Sequence, residues 1–239
     1  MRRLAPMVDT LSRCLRGCAL LMAAVLLGAC SRVIVGSTQP VGVVGPKPPI
    51  PIADLLIEPT RFPPQYPAAV LDDAAVDRAL QDIDGVQTGS VVTPHDCTPP
   101  VLWHSEVVGV EGVDNATASR LIVVMTRPAP PLSDRLDQLR RCPSVAVGRG
   151  EDESTVSVTV LPAPPVDADD TYAVEQTVTT PESERAVLTV AAQVGDTRVS
   201  ATWLHDGTPG TTADVEPDTA SLDTVFSASV LKVRRLAGP

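Results

Sequence analysis

Residues 186–204 read AVLTVAAQVGDTRVSATWL, in which two apolar stretches flank the dipeptide Gly195-Asp196. Val199, Ala201 and Trp203 alternate with polar neighbours, a pattern typical of a strand with one buried face. A two-residue loop that begins with glycine suits a type II′ turn, because its first position requires a positive φ. This stretch therefore predicts an antiparallel β-hairpin.

Further strands are predicted on the N-terminal side of this hairpin. The stretch 155–161 alternates, with its valines on one face, and 120–126 is a short run rich in β-formers. The stretch 101–113 alternates loosely, and its glycines at 109 and 112 predict breaks. With the hairpin included, the predicted strands are 101–113, 120–126, 144–147, 155–161, 172–179, 186–194 and 197–204.

A first helix is predicted between a capping aspartate and a glycine. Its apolar residues recur at i, i+4 and i+7, which places them on one helical face. They are Val76, Leu80 and Ile83. Asp72 or Asp73 can accept hydrogen bonds from the free amide groups of the first turn. Gly85 then supplies the C-terminal stop.

Two later segments also have helical spacing. Leu132, Leu136 and Leu139 mark a second helix, and residues 221–235 mark a third that ends in basic residues, which favours the helix dipole. Because the third segment contains β-branched residues, a strand is the alternative there. The predicted fold class is α+β: a single domain, residues 53–239, in which two or three helices pack on an antiparallel sheet.

The first thirty residues have the layout of a secretory signal peptide. A positive, arginine-bearing region precedes a short apolar run, 18–27, and a bilayer span needs roughly 20 residues. Leu27-Gly28-Ala29-Cys30 resembles the lipobox of bacterial lipoproteins. The resemblance implies that lipid is attached to the Cys30 thiol and that residues 1–29 are removed. A signal anchor that is not cleaved is the alternative.

Residues 30–52 are predicted to be the lipidated cysteine and a tether. The stretch is rich in proline and glycine and poor in large side chains, which favours an extended linker. A first strand at Val41–Val44 is the alternative. We therefore expect a protein on the extracytoplasmic face of the cell membrane, anchored by acyl chains that contribute about 0.8 kcal/mol per buried methylene.

The charge of the chain argues against a nucleic-acid partner. The 239 residues have a formal net charge of -10. Removal of residues 1–29 takes away four arginines and one aspartate, so the mature chain stands near -13. So acidic a chain, without a basic patch, repels phosphate backbones.

Two cysteines remain once Cys30 is lipidated and the signal peptide is removed. They are Cys97 and Cys142. Because the compartment outside the membrane is oxidising, we expect them to form a disulfide. The alternative is a catalytic or metal-binding Cys97, which follows His95 and Asp96 but lacks a second ligand pair at useful spacing.

The sequence contains no recognisable catalytic, phosphate-binding or EF-hand signature. We therefore predict no catalytic residue, no cofactor and no metal. The histidines are His95, His104 and His205, and of these His104 and His205 are interpreted as strand positions with one ring inward and one outward. The acidic stretch around Asp167, Asp169 and Asp170 is interpreted as a solvated turn, with Ca²⁺ binding as the alternative.

Several of these features resemble those of mycobacterial secreted lipoproteins. They are the Asp54-Leu55-Leu56 opening, the proline turn from Phe62 to Tyr66, the span from Cys97 to Cys142 and the hairpin that follows. The same features are similar, more distantly, to the extracellular sensor domain of the mycobacterial Ser/Thr kinase PknH. That resemblance covers about residues 53–235 and implies a sheet flanked by helices, with a cleft for a small ligand and no established catalysis. The kinase sensor domain has two disulfides, whereas this chain can form one.

The expected function is that of a membrane-anchored binding module. Its non-catalytic domain would take a small or lipidic ligand, or an envelope protein, and Trp103 and Trp203 are the candidate walls of the cleft. Core packing is the alternative for both tryptophans. The alternative functions are a structural lipoprotein that docks another envelope protein without a small-molecule pocket, and a hydrolase with unrecognised residues.

Overall fold

The structure, a computed structural model, describes residues 50–102, 105–150, 152–210 and 215–237. In these ranges nine strands form one sheet. They are β1 Ala68–Val70, β2 Val91–Thr93, β3 Glu106–Asp114, β4 Ser119–Arg127, β5 Ser144–Arg149, β6 Asp152–Leu161, β7 Asp170–Thr179, β8 Glu184–Val194 and β9 Thr197–Gly207. All neighbouring strands are antiparallel, in the order β1-β3-β4-β9-β8-β7-β6-β5-β2.

The same ranges contain four α-helices. They are α1 Ile52–Leu55, α2 Asp73–Asp84, α3 Leu132–Arg141 and α4 Thr219–Ala237, with 3₁₀ turns at Pro59–Arg61 and His95–Cys97. The α+β class, the antiparallel sheet and the three longer helices are confirmed. The one-turn helix α1 was not predicted.

The hairpin of β8 and β9 lies in the middle of the sheet. Val194 pairs with Thr197 beside the turn, and Glu184 pairs with Gly207 at the far end, so the ladder runs the full length of both strands. Gly195 has a φ of 59°, as the first position of a type II′ turn requires. The predicted hairpin is confirmed and extends beyond its predicted outer ends.

The two faces of the sheet are covered by different helices, because successive residues of a strand point to opposite faces. On the face that we call the α4 face, Val199, Ala201 and Trp203 share a core with residues of α1 and α4. On the other face, the α2 face, Ala79 and Ile83 of α2 pack against β4, β8 and β9. Helix α3 covers β6 and β7 on that same face.

The helix boundaries follow the predicted signals. The Asp72 carboxylate accepts a hydrogen bond from the Ala75 amide at 2.8 Å, and Gly85 ends α2 with a φ of 67°. The last segment is a helix rather than the alternative strand, because its apolar side chains line one buried face. They are Leu222, Val225, Phe226, Val230 and Val233.

The prediction that glycines break the first long strand is wrong. Strand β3 starts at Glu106 and runs unbroken through Gly109 and Gly112. A Cβ atom added at Gly112 would lie 2.8 Å from the Tyr66 carbonyl oxygen and 2.9 Å from Phe62 Cδ1. Glycine at 112 therefore lets the proline-rich segment from Phe62 to Tyr66 pack closely against the strand.

The predicted signal peptide, Cys30 and most of the tether lie outside the described residues. In the described residues the first element is α1, which starts at Ile52, one residue before the predicted domain start. Among the described helices, none combines the length and the apolar character needed to cross a bilayer.

Candidate functional site

A cleft of about 400 Å³ opens on the α2 face of the sheet. Its walls come from the C-terminal half of α2, from the hairpin of β5 and β6, and from the turn between β7 and β8. Charged, amide and hydroxyl side chains form most of its lining. The volume lies in the range of small-molecule sites, which is about 300–1,000 Å³. The cleft is therefore the candidate functional site.

The end of α2 sets the position of one wall. Gly85 terminates the helix in the left-handed conformation and also lines the cleft. A Cβ atom at this position would lie 2.8 Å from Val178 Cγ2 of β7 and 3.0 Å from Val156 Cγ2 of β6. The helix end thus rests directly on the sheet, and the cleft begins where the helix stops.

A network of ion pairs joins α2 to the sheet beside the cleft. Asp82 contacts Arg120 at 2.9 Å and Arg185 at 2.7 Å. Asp206 lies opposite Arg185 in the ladder of β8 and β9 and accepts a hydrogen bond from its Nε. Glu111 of β3 contacts Arg120 at 3.2 Å. The network therefore ties one helix to four neighbouring strands.

The electrostatics of this network favour the charged form of Arg120. Burial lowers the pKa of Arg120, but attraction to the carboxylates of Asp82, Glu111 and Asp206 outweighs that effect, and the net pKa is raised. Because each of these carboxylates contacts a guanidinium, the charges on this side of the cleft largely neutralise one another.

The rim of the cleft carries charges that are less well matched. Arg149 donates a hydrogen bond from Nη1 to Gln87 Oε1 at 2.6 Å, and that partner is neutral. Glu182 is held at the rim by a tight turn in which the Ser183 amide donates to Thr180 Oγ1 at 2.9 Å. Within the described residues, the Glu182 carboxylate makes no hydrogen bond or ion pair.

The residues proposed as ligand-binding walls do not lie in this cleft. Trp203 is only 2% exposed and belongs to the core of the α4 face, where its ring stacks on that of His205 at a centroid distance of 6.2 Å. Core packing, which was the alternative interpretation of Trp203, describes its position. Trp103 and the lipidation site Cys30 lie outside the described residues.

The predicted disulfide between Cys97 and Cys142 is present. It joins the 3₁₀ turn at His95–Cys97 to the C-terminal end of α3, and both cysteines are buried. The Gln138 amide strengthens the same junction by donating to the carbonyl oxygens of Asp96 and Thr98. Because both sulfurs are bonded to each other, the alternative of a catalytic or metal-binding Cys97 does not apply to this state.

The described histidines are not arranged as a catalytic triad. His95 is exposed, and His205 stacks on Trp203 with its Nδ1 atom buried and without a hydrogen bond in the described residues. Ser119 lies opposite His205 in the ladder, but its hydroxyl is bonded to Tyr66 Oη at 3.2 Å and Thr117 Oγ1 at 2.7 Å. His104 lies outside the described residues.

The acidic stretch before β7 has a structural role. Asp169 accepts hydrogen bonds from the Gly195 amide at 2.6 Å and from Arg234 at 2.8 Å. These bonds tie the hairpin turn to α4. They also lower the pKa of Asp169, with the Gly195 amide as the largest cause and Arg234 next.

The sequence did not reveal the residues of the cleft. Asp82, Arg120 and Arg185 are far apart in the chain, and none forms a motif with its neighbours. One signal was present: Arg120 and Arg185 each stand at the end of an apolar strand, where a charged side chain facing a helix needs a partner.

No protein-family model matches the chain, and neither does any curated protein. One similar solved structure is the X-ray structure of an uncharacterized protein from Mycobacterium smegmatis, an ortholog of Rv0999. The two are 19% identical, and the match covers 73% of this chain and 92% of that chain with a TM-score of 0.46. A similarity at this level assigns no function, and the resemblance to the PknH sensor domain stays a prediction.

Proposed function

We propose that the chain is a lipid-anchored extracytoplasmic lipoprotein whose α+β domain binds a small hydrophilic ligand in the cleft, without catalysing a reaction. The observation that carries the binding role is the cleft itself, with its volume of about 400 Å³ and its polar lining. The resemblance of Leu27-Gly28-Ala29-Cys30 to a lipobox supports the lipid-anchored, extracytoplasmic location. The disulfide between Cys97 and Cys142 fits an oxidising compartment.

The lining argues for a hydrophilic rather than a lipidic ligand. An acyl chain gains free energy by removing methylene groups from water against apolar walls, at roughly 25 cal/mol per Å². Here it would meet carboxylates, guanidinium groups and hydroxyls such as those of Asp82, Arg185 and Ser154. Covering those groups without hydrogen bonds costs free energy, so an acyl chain would bind poorly.

Docking to an envelope protein is the second candidate, and exposed apolar side chains on the sheet edges favour it. Val70 of β1 is 61% exposed and Val91 of β2 is 67% exposed, and these strands form the two edges of the sheet. Each edge strand has only three residues. Since a long open edge is what invites pairing with another chain, the cleft is the better supported site.

Native mass spectrometry of the full chain, extracted from its membrane in a mild detergent, tests the proposal. Ser154→Trp places a large side chain in the cleft, and Ser157→Trp is the matched control, since Ser157 is exposed on the opposite face of β6. We expect a small bound species on the native chain and on the control, and its loss from the Ser154 variant. A ligand-free mass for the native chain, or a species retained by both variants, would contradict the proposal.

A further inference from the structure

We infer that the cleft binds an uncharged, polyhydroxylated molecule, the class of mono- and disaccharides. The inference rests on the proposed function, because it names the ligand class of the same site. Three properties of the lining carry it: charges that cancel, hydrogen-bonding groups that remain available, and a floor of small hydroxyl and apolar side chains.

The charges on the α2 side of the cleft cancel. Asp82 contacts Arg120 at 2.9 Å and Arg185 at 2.7 Å, and Arg185 also pairs with Asp206. Arg120 lies 3.5 Å from Asp206 as well, so two carboxylates face two guanidinium groups. An ionic ligand would have to separate these pairs before it could form its own. The network therefore favours neither an anion nor a cation.

The remaining charged groups do not change this balance. Ser154 shares the cleft face of β6 with Val156, which lies beneath the end of α2, so the side chain of Glu153 points to the opposite face. Arg149 and Glu182 have opposite signs, and both are exposed at the rim. Exposed single charges contribute little because water and salt screen them. A charged ligand therefore finds little to offset the loss of its hydration.

The ion pairs suit hydroxyl groups. The side chains of Asp82 and Arg185 remain 27% and 26% exposed although they contact each other, so a ligand can reach both without separating them. A carboxylate accepts several hydrogen bonds and a guanidinium donates several, so a pair keeps capacity for a ligand. Because a hydroxyl group both donates and accepts, neighbouring hydroxyls of one molecule can bond to both members of the pair.

Two neutral side chains on the wall also have hydrogen-bonding groups available. The Gln87 Oε1 atom accepts from Arg149 at 2.6 Å, which holds the amide in place and leaves its Nε2 group without a partner in the described residues. The Ser90 hydroxyl lines the cleft and makes no hydrogen bond within the described ranges. These groups provide a donor and a combined donor and acceptor for further hydroxyls of the ligand.

The floor of the cleft is made of small hydroxyl and apolar side chains. Val147 and Ser154 lie opposite each other on β5 and β6, and Val178 and Thr180 line the cleft at the end of β7. Such a surface matches a sugar, whose hydroxyl groups surround a ring of C–H groups. Among the described residues of the lining none is aromatic, so a nucleobase or another aromatic ring finds no stacking partner.

Isothermal titration calorimetry on the full chain in a polyoxyethylene detergent tests the inference, because this detergent has no sugar headgroup that could compete. The neutral probes are glucose, galactose, mannose and maltose, and glucosamine and glucuronate are the charged counterparts of glucose. We expect at least one neutral sugar to bind more tightly than either charged sugar. Its affinity should not change as salt is raised, because salt screens interactions between charges.

Ser90→Ala should weaken the binding of that sugar by roughly two- to tenfold, the net contribution of one hydrogen bond. Ser157→Ala is the matched control, since Ser157 is exposed on the opposite face of β6 and should leave the affinity unchanged.

The inference would be overturned if every neutral sugar failed to bind at tens of millimolar, or if glucosamine or glucuronate bound more tightly. An affinity that falls with salt, or a Ser90 variant that binds as tightly as the control, would also overturn it. The proposed function has its own readout, the bound species lost on Ser154→Trp. The two can therefore fail separately.

Discussion

Replacement of Gly112 by alanine should destabilise the domain through a single methyl group. Gly112 is buried on β3, where the proline-rich segment crosses the strand. The added Cβ atom would lie 2.8 Å from the Tyr66 carbonyl oxygen, 2.9 Å from Tyr66 Cβ and 2.9 Å from Phe62 Cδ1. Two of these atoms belong to Tyr66, which is itself 2% exposed, so the segment cannot move aside without disturbing the core.

The magnitude follows from the cost of overpacking a buried site, which is about 1–3 kcal/mol. For a domain of this size, each kcal/mol shifts the midpoint of thermal unfolding by about 2–4 °C. We therefore expect Gly112→Ala to lower the melting temperature by roughly 2–12 °C. The loss of stability should come from strain in the native state. In the unfolded chain the substitution acts in the opposite direction, because alanine has less conformational freedom than glycine.

Urea denaturation and thermal melts followed by circular dichroism measure this effect on the full chain. Gly148→Ala is the control, because Gly148 lies within strand β5 and an added Cβ atom would meet nothing within 4 Å. That variant should be neutral or more stable by up to about 1 kcal/mol. If Gly112→Ala proved as stable as Gly148→Ala, the close contact between the proline segment and β3 would be refuted.

Three further predictions concern the disulfide, a helix cap and an acidic turn. Removal of the bond between Cys97 and Cys142 by a double alanine variant should lower the free energy of unfolding by about 4 kcal/mol, as calculated from the 45-residue separation. Reducing agent should destabilise the native chain and leave the variant unaffected. An unchanged urea midpoint in the variant would contradict this prediction. Asp72→Ala should cost about 1 kcal/mol in urea denaturation, and Asp73→Ala less, because only the Asp72 side chain caps α2; equal losses would argue against the cap. The pKa of Asp169 is lowered by the Gly195 amide and by Arg234. Its contribution to stability is therefore present above the ordinary pKa of 3.8 and is lost as pH falls through the lower pKa of the folded state. The difference in unfolding free energy between the native chain and Asp169→Asn should narrow in acid, and a difference independent of pH would refute the assignment.

Much of the fold was predictable because its signals are local. The aspartate cap and terminal glycine of α2, the leucine spacing of α3 and the Gly195 turn each act over a few residues. The breaks predicted at Gly109 and Gly112 failed for the opposite reason. At Gly112, glycine allows a close contact with the segment from Phe62 to Tyr66, which lies about 46–50 residues earlier in the sequence, and such a contact has no local signature.

The candidate site was hidden from the sequence for the same physical reason. Asp82, Arg149 and Arg185 come together only because of the order of the strands and the position at which α2 packs on the sheet. Trp203 was predicted to be a wall of the cleft, but its position on the α4 face buries it. Periodicity indicates which face of a strand is apolar, but it does not show where a cleft opens between elements.

The intact mass of the protein extracted from its native membrane tests the central claim most directly, since a lipid-anchored binding domain requires an acylated Cys30. The account predicts a chain that begins at Cys30 and is heavier than its amino acids by the mass of a diacylglycerol group, with or without a further acyl chain. A chain that begins at Met1, or one with a free and unmodified Cys30 thiol, would contradict it.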